Sequence, residues 1–333
     1  MRGLYSLFFL LLLVAIAWVG ASLAGWNYLF GVIIPLIAIV VFIVGIIYRL
    51  TKWARSPVPF RIPTTCGQQK SLEGIKANNL ESPYNIWGVL GRMALEIFLF
   101  RSLFRNTKAE LHDGKLVYGG SKWLWLFGLM FHYTFLIVVI RHLRFFIEPI
   151  TSLPFLIPLQ NIDGLMQIGI PVLYMSGLFL VISVTFLLFR RIGIPQIRYI
   201  SLASDYFPLL LIFTIGLTGG LMRYLPAARV DVIAVKELAM GLMTFNPVIP
   251  EGIGAMFFIH LFLVSVLLIY FPISKLMHMG GVFLSPTRNL ANNSRAVRHI
   301  NPWNYPVKVH TYEEWEDEFR DVIKGAGMPV EKE

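Results

Sequence analysis

The sequence predicts an all-α polytopic membrane protein, a bundle of six transmembrane helices, and three observations predict it. Of 333 residues, 56% are hydrophobic and only 14% charged, a balance outside the range of soluble domains. Apolar runs long enough for a ~30 Å hydrocarbon core occur at about 4–25, 28–48, 123–147, 164–189, 202–222 and 253–276. The basic residues also segregate. With the N-terminus in the cytoplasm, only Arg141, Arg144, Arg223, Arg229 and Lys236 of the twenty-nine Lys and Arg fall outside, in accord with the positive-inside rule. The expected location is the cytoplasmic (inner) membrane, multi-pass, with both termini in the cytoplasm. The net charge of +10 then answers to the anionic lipid bilayer and calls for no nucleic acid.

Taken in order, residues 1–48 form a transmembrane hairpin closed at Gly25, Trp26 and Asn27. Arg2 before an apolar run, with Ser22, Leu23 and Ala24 after it, imitates a signal peptide; the segment reads as a retained span or uncleaved anchor. Residues 49–122 form a basic cytoplasmic loop. Its first half is rich in turn formers. Its second half, YNIWGVLGRMALEIFLFRSLFRNT, places Trp87, Leu90, Met93, Ala94, Ile97 and Phe98 at helical spacing beside Arg92, Arg101 and Arg105. Three arginines are too costly at the bilayer centre, so this is an interfacial amphipathic helix. Residues 123–279 form the four-helix domain, with an acidic, proline-containing outer loop at 148–163, a basic inner loop at 190–200 and a short helix near 229–243. Gly216, Gly219 and Gly220 in the fifth span would let a backbone or a flat macrocycle approach closely. The tail, 280–333, is cytoplasmic and contains an amphipathic helix. Thr311 is its N-cap, Glu314 completes a capping box, and Gly325 or Gly327 stops it. Trp315, Phe319, Val322 and Ile323 form an apolar stripe to be buried on a partner or on the chain's own loop.

The chemistry sits on histidines. Cys66 is the single cysteine, so this chain alone can build neither a disulfide nor a Cys-ligated iron–sulfur centre. His132 and His142 lie on the third span, His260 and His278 on the sixth, and imidazoles inside a membrane are costly without a purpose. Seventeen residues separate His260 from His278, which on one continuous helix puts them on one face about 27 Å apart. Nine separate His132 from His142, about 15 Å along the axis with a facing mismatch of about 80°. Tilt and a kink at Pro272 are expected to absorb the difference. The spans run antiparallel, so His132 pairs with His278 at the inner level and His142 with His260 at the outer level. Two pairs suit the axial positions of two haem b groups, with the four histidines as iron ligands. A bis-imidazole haem has no open position and passes electrons rather than activating oxygen.

Haem propionates need cations. Arg141, Arg144 and Arg223 are candidates at the outer level, and Lys275 and Arg288 at the inner level; each equally suits snorkelling at a helix end. A membrane quinol would need a proton acceptor beside the outer haem, for which Asp163 and Glu148 are the candidates; both equally suit ordinary loop acids.

The spacing of the two histidine pairs over residues 115–285 resembles the cytochrome b (gamma) subunit of respiratory nitrate reductases. That resemblance implies a dihaem fold, with His142 and His260 on the outer haem next to the quinol site and His132 and His278 on the inner one. The two N-terminal spans depart from it. With SPVPFRIPTTCGQQK, ESPYNIWGVLGRM and FRSLFRNT, they resemble the DsrM family, the membrane cytochrome b of a sulfite-reduction-associated electron transport complex. This resemblance implies menaquinone as electron partner and a cytoplasmic iron–sulfur subunit related to heterodisulfide reductase. It further implies a second quinone-interacting membrane subunit, a periplasmic multihaem cytochrome c and a ferredoxin-like subunit. The expected role is electron exchange between menaquinol/menaquinone near the outer face and the iron–sulfur partner, in dissimilatory sulfur metabolism. Two alternatives stay open: a gamma-type cytochrome b of a nitrate reductase or other dehydrogenase, and a haem-free transporter or scaffold.

Overall fold

Hydrocarbon offers a backbone no hydrogen bonds, so each long apolar run must satisfy its own, and the helix does so within one segment. The computed structural model describes residues 2–56, 58, 67–147, 152–165, 168–169, 171–295 and 309–332. Cys66 and Glu148 lie outside the described residues. Six helical segments are long and apolar enough to cross a membrane: Arg2–Ser22, Leu29–Ala54, Lys122–Phe145, Met175–Gly193, Ala203–Tyr224 and Ala255–Ile273. The chain divides into two units, Met1–Arg55 with Leu90–Ser285, and Ser56–Val89 with Pro286–Glu333.

The first unit holds the bundle. Helix α1 (Arg2–Ser22) turns at Gly25, whose positive φ of 65° suits a residue without Cβ. The second span begins with one π-helical turn, Leu29–Ile33, and continues as α2 (Ile34–Ala54). Helices α5 (Lys122–His142), α7 (Met175–Gly193), α9 (Ala203–Tyr224) and α11 (Ala255–Tyr270) complete the set. In it α5 packs on α7, α7 on α9, and α11 on α1, α2 and α9. Phe30, Leu211, Phe258 and Leu263 lie at the centre of the core. The N-terminal hairpin is thus packed into the bundle.

Two expectations are corrected here, and a hairpin is added. The fourth span starts at Met175 rather than 164; α6 (Leu156–Asp163) precedes it, with turn residues at Gly164, Gly169 and Pro171. The sixth span is not one helix to residue 279. Its α-helix ends at Tyr270, and two 3-10 turns follow, Phe271–Ile273 and Lys275–Met277, separated by extended Ser274. Pro272 lacks the N–H that a continuing helix needs, and the Ser274 hydroxyl restarts the chain by accepting from the Leu276 N–H at 3.1 Å. The one-face spacing of His260 and His278 therefore does not hold. Finally, Thr107–His112 and Lys115–Gly120 form an antiparallel hairpin, β1 and β2, turning at Asp113 and Gly114.

Helix α3 (Ile86–Leu99) ends beside α5, where side chains cap its last carbonyls: Tyr133 donates to the Phe98 oxygen at 2.9 Å and Trp125 to the Leu99 oxygen at 2.7 Å. Left-handed Phe100 then breaks the chain before α4 (Arg101–Arg105). Short helices α8 (Pro195–Ile200) and α10 (Val232–Met243) occupy two loops, the latter capped by Asp231, and α12 (His278–Gly281) is a single turn.

In the second unit, α13 (Tyr312–Gly325) carries the expected capping box of Thr311 and Glu314. Of its stripe only Ile323 is buried; Trp315, Phe319 and Val322 are exposed. The chain after Gly327 folds back on buried Glu316, whose carboxylate accepts from the N–H groups of Glu331 and Lys332 at 2.8 and 2.9 Å. Those bonds hold this carboxyl below the usual carboxylate range.

Candidate functional site

The break after Tyr270 decides where His278 points. Carried on a turn rather than on α11, its ring meets that of His132 on α5, with centroids 5.8 Å apart and planes at 81°. Phe100 and Phe131 flank His132 edge-on, at 4.9 and 5.1 Å. His142, the last residue of α5, lies within electrostatic reach of His260 on α11. Gly219 of α9 leaves room for that second pair, since a Cβ there would stand 3.3 Å from His260 Cε1.

All four imidazoles are held by the same nitrogen. The Nδ1–H groups of His132, His142 and His278 donate to the carbonyl oxygens of Gly128, Val138 and Lys275, at 2.7, 2.6 and 2.9 Å. A carbonyl can only accept, so the proton is on Nδ1 and the lone pair on Nε2. His260 Nδ1 is 2.9 Å from the Thr218 hydroxyl, which spends its own proton on the Thr214 carbonyl at 2.8 Å. Its proton too is therefore on Nδ1. Four rings oriented through Nδ1 with Nε2 free form the outer-shell arrangement of metal-bound histidine.

These residues fit haem. Iron–imidazole bonds of about 2 Å on both sides put ring centroids about 6 Å apart, close to the 5.8 Å seen here. Among the described residues no three His, Cys, Asp or Glu side chains converge on one point, as a bare ion would need. A macrocycle supplies four nitrogens of its own and asks only two of the protein.

The remaining candidates are placed as follows. Arg141 Nη1 donates to Asp163 Oδ2 at 2.7 Å and to Ser176 Oγ at 3.1 Å, and its guanidinium lies 3.2 Å from the Tyr174 ring centroid. Asp163 is buried and also accepts from the Ser176 N–H and hydroxyl, both at 2.7 Å. Arg223 lies 4.1 Å from the same ring and donates to the Val172 carbonyl at 3.0 Å. Arg144 stands over Phe145. Lys275 pairs with Asp205 at 2.6 Å. Arg288 belongs to the second unit. Sequence reasoning missed Thr218, Tyr174 and Ser176. Thr218 carried a signal: it lies beside Gly219 and Gly220 and is the one hydroxyl in that stretch of α9.

Comparison with known proteins extends the geometry. Residues 85–299 match the family described as nitrate reductase gamma subunit. A protein of Archaeoglobus fulgidus named Hdr-like menaquinol oxidoreductase cytochrome b-like subunit is 48% identical over 283 residues, 83% of each chain. One of Archaeoglobus profundus with the same name is 40% identical over 279 residues, 81% of each chain. Both alignments cover more of the chain than the family match does.

Proposed function

The chain belongs to the nitrate reductase gamma subunit family, and from that premise we propose that it is a membrane dihaem cytochrome b exchanging electrons between menaquinol/menaquinone and an iron–sulfur partner. The observation that carries this is the common state of the four histidines, each fixed through Nδ1 with Nε2 free. His132 with His278, and His142 with His260, would hold two haem b groups. When bound, each haem supplies one-electron transfer with no open coordination position.

The protein's own residues then have defined tasks. The backbone carbonyls and Thr218 set the ring orientations, and Gly219 makes room beside His260. Arg141, next to His142 in the chain, is the first candidate for the propionate cation of the outer level, with Arg144 and Arg223 as further candidates; at the inner level Lys275 is a candidate only if it leaves Asp205. Asp163 holds Arg141 and is the candidate acceptor for a quinol proton, Glu148 being the other.

The finer reading places the chain in dissimilatory sulfur metabolism, as in the DsrM family, in the cytoplasmic membrane with both termini inside. Its partners there are a cytoplasmic subunit related to heterodisulfide reductase, a second quinone-interacting membrane subunit, a periplasmic multihaem cytochrome c and a ferredoxin-like subunit. The two relatives' names, with "Hdr-like" and "menaquinol oxidoreductase" in them, support the iron–sulfur partner and the quinol.

Mixing the purified chain with a menaquinol analogue tests the electron path. Haem reduction is expected in the parent chain and is lost in His142→Ala while the haem of His132 and His278 stays bound. A His142→Ala protein that quinol reduces as fast as the parent overturns the outer entrance.

A further inference from the structure

Beside His278 lies a cleft of about 510 Å³ whose walls include Arg49 and Trp53 of α2, Tyr270, Lys275 and Met277. Arg49 and Trp53 come from a helix outside the family match, which begins at residue 85. The contact is close-packed: a Cβ on Gly45 would stand 2.6 Å from Pro272, one on Gly280 2.7 Å from Leu50, and one on Gly281 3.4 Å from Trp53. Helix α2 is thereby seated along the turn that carries His278.

The charges in this cleft are unequal. Lys275 is taken by Asp205. The Arg49 guanidinium stacks on Trp53 at 5.1 Å, and its buried Nε has no hydrogen-bond acceptor among the described residues. A buried guanidinium donor without an acceptor is costly and calls for an anion, which the planar fork of arginine suits when the anion is a carboxylate. Within the first unit this cation lines the same cleft as His278.

We infer that Arg49 holds a haem propionate of the His132 and His278 site, so that the N-terminal hairpin completes that site. The inference rests on the dihaem reading. It goes beyond it in giving an assigned task to a segment that plain anchoring would otherwise explain, and in adding a cation that the sequence did not single out.

A cation beside a haem favours the state with the extra electron, so removing it lowers the midpoint potential of that haem alone. The test is a redox titration of the full chain, resolved into two one-electron components, for the parent, Arg49→Gln and Arg49→Lys. In Arg49→Gln one component shifts about tenfold toward the oxidised form at fixed potential, about 59 mV for one electron. Arg49→Lys keeps most of the parent value. Infrared redox difference spectra with carboxylate-labelled haem show the propionate band of that component moving in Arg49→Gln. If both potentials and the propionate bands stay at parent values in Arg49→Gln, the inference is overturned. Loss of a co-purifying anionic lipid with unchanged potentials overturns it in favour of a headgroup site. A parent chain with no haem sinks the dihaem reading itself, an outcome distinct from either.

Discussion

Removing the Asp163 carboxylate should be among the most damaging single changes in the bundle. Its side chain is 5% exposed and that of Arg141 15%, so water screens neither. Three donors converge on it, Arg141 Nη1, the Ser176 N–H and the Ser176 hydroxyl, each at 2.7 Å. The backbone donor belongs to the first turn of α7, which has no side-chain cap of its own. Asp163 therefore caps that helix from another segment and places a negative charge at its positive end. In Asp163→Ala the Arg141 charge is left buried, with an Nε that already lacks a partner. Breaking one side of such a pair costs about 3–5 kcal/mol. Asp163→Asn keeps an acceptor for Ser176 but not the charge, and should cost about half as much. Detergent-solubilised protein titrated with sodium dodecyl sulfate and followed by circular dichroism reads these differences. A cycle with Arg141→Ala should give a coupling of about 2 kcal/mol. If Asp163→Ala unfolds within about 0.5 kcal/mol of the parent, a value typical of surface changes, the cluster does not hold the bundle as argued.

Further expectations follow from single contacts. Gly219→Val should displace the His260 ring, given the 3.3 Å already separating a Cβ from its Cε1, and lose the haem of that pair with helix content unchanged; a full haem complement would contradict it. Thr218→Val removes the acceptor of the His260 Nδ1 proton and should cost about 1–3 kcal/mol of site order, read as a broadened low-spin haem signal in electron paramagnetic resonance. For the tail, Glu316 is held below its ordinary value of 4.5 by the N–H groups of Glu331 and Lys332. Its contribution is thus present above the ordinary value and is lost as pH falls through the lower, folded one. Hydrogen exchange at residues 331 and 332 should be insensitive to pH between 7 and 5, beyond the intrinsic exchange rate, and lose protection at more acid pH; Glu316→Gln should reduce protection between pH 5 and 7 and remove the acid-induced loss.

Why the spans were legible and the site only partly so comes down to particular residues. A long run such as Ala255–Tyr270 must be helical in lipid whatever surrounds it, and the capping box of Thr311 and Glu314 is local chemistry. Helix ends set by competition were harder. Pro272 suggested a kink, yet the helix stops and restarts, because Ser274 supplies a cap that spacing arithmetic does not count. Strands β1 and β2 are exposed at every position, so they lack the apolar alternation that reveals a strand, although Asp113 and Gly114 form a recognised hairpin turn. Thr218 bonds His260, 42 residues away in the chain, and Arg49 lines one cleft with His278, 229 residues away; no local pattern announces such pairs.

The central claim is that two histidine pairs hold two haems. The most direct test is haem per polypeptide, by the pyridine haemochrome spectrum, in the purified chain and in His278→Ala and His260→Ala. The account predicts two haem b in the parent chain and one in each variant, with different spectra because different haems remain. A parent chain without haem, or a variant that keeps both, would contradict it.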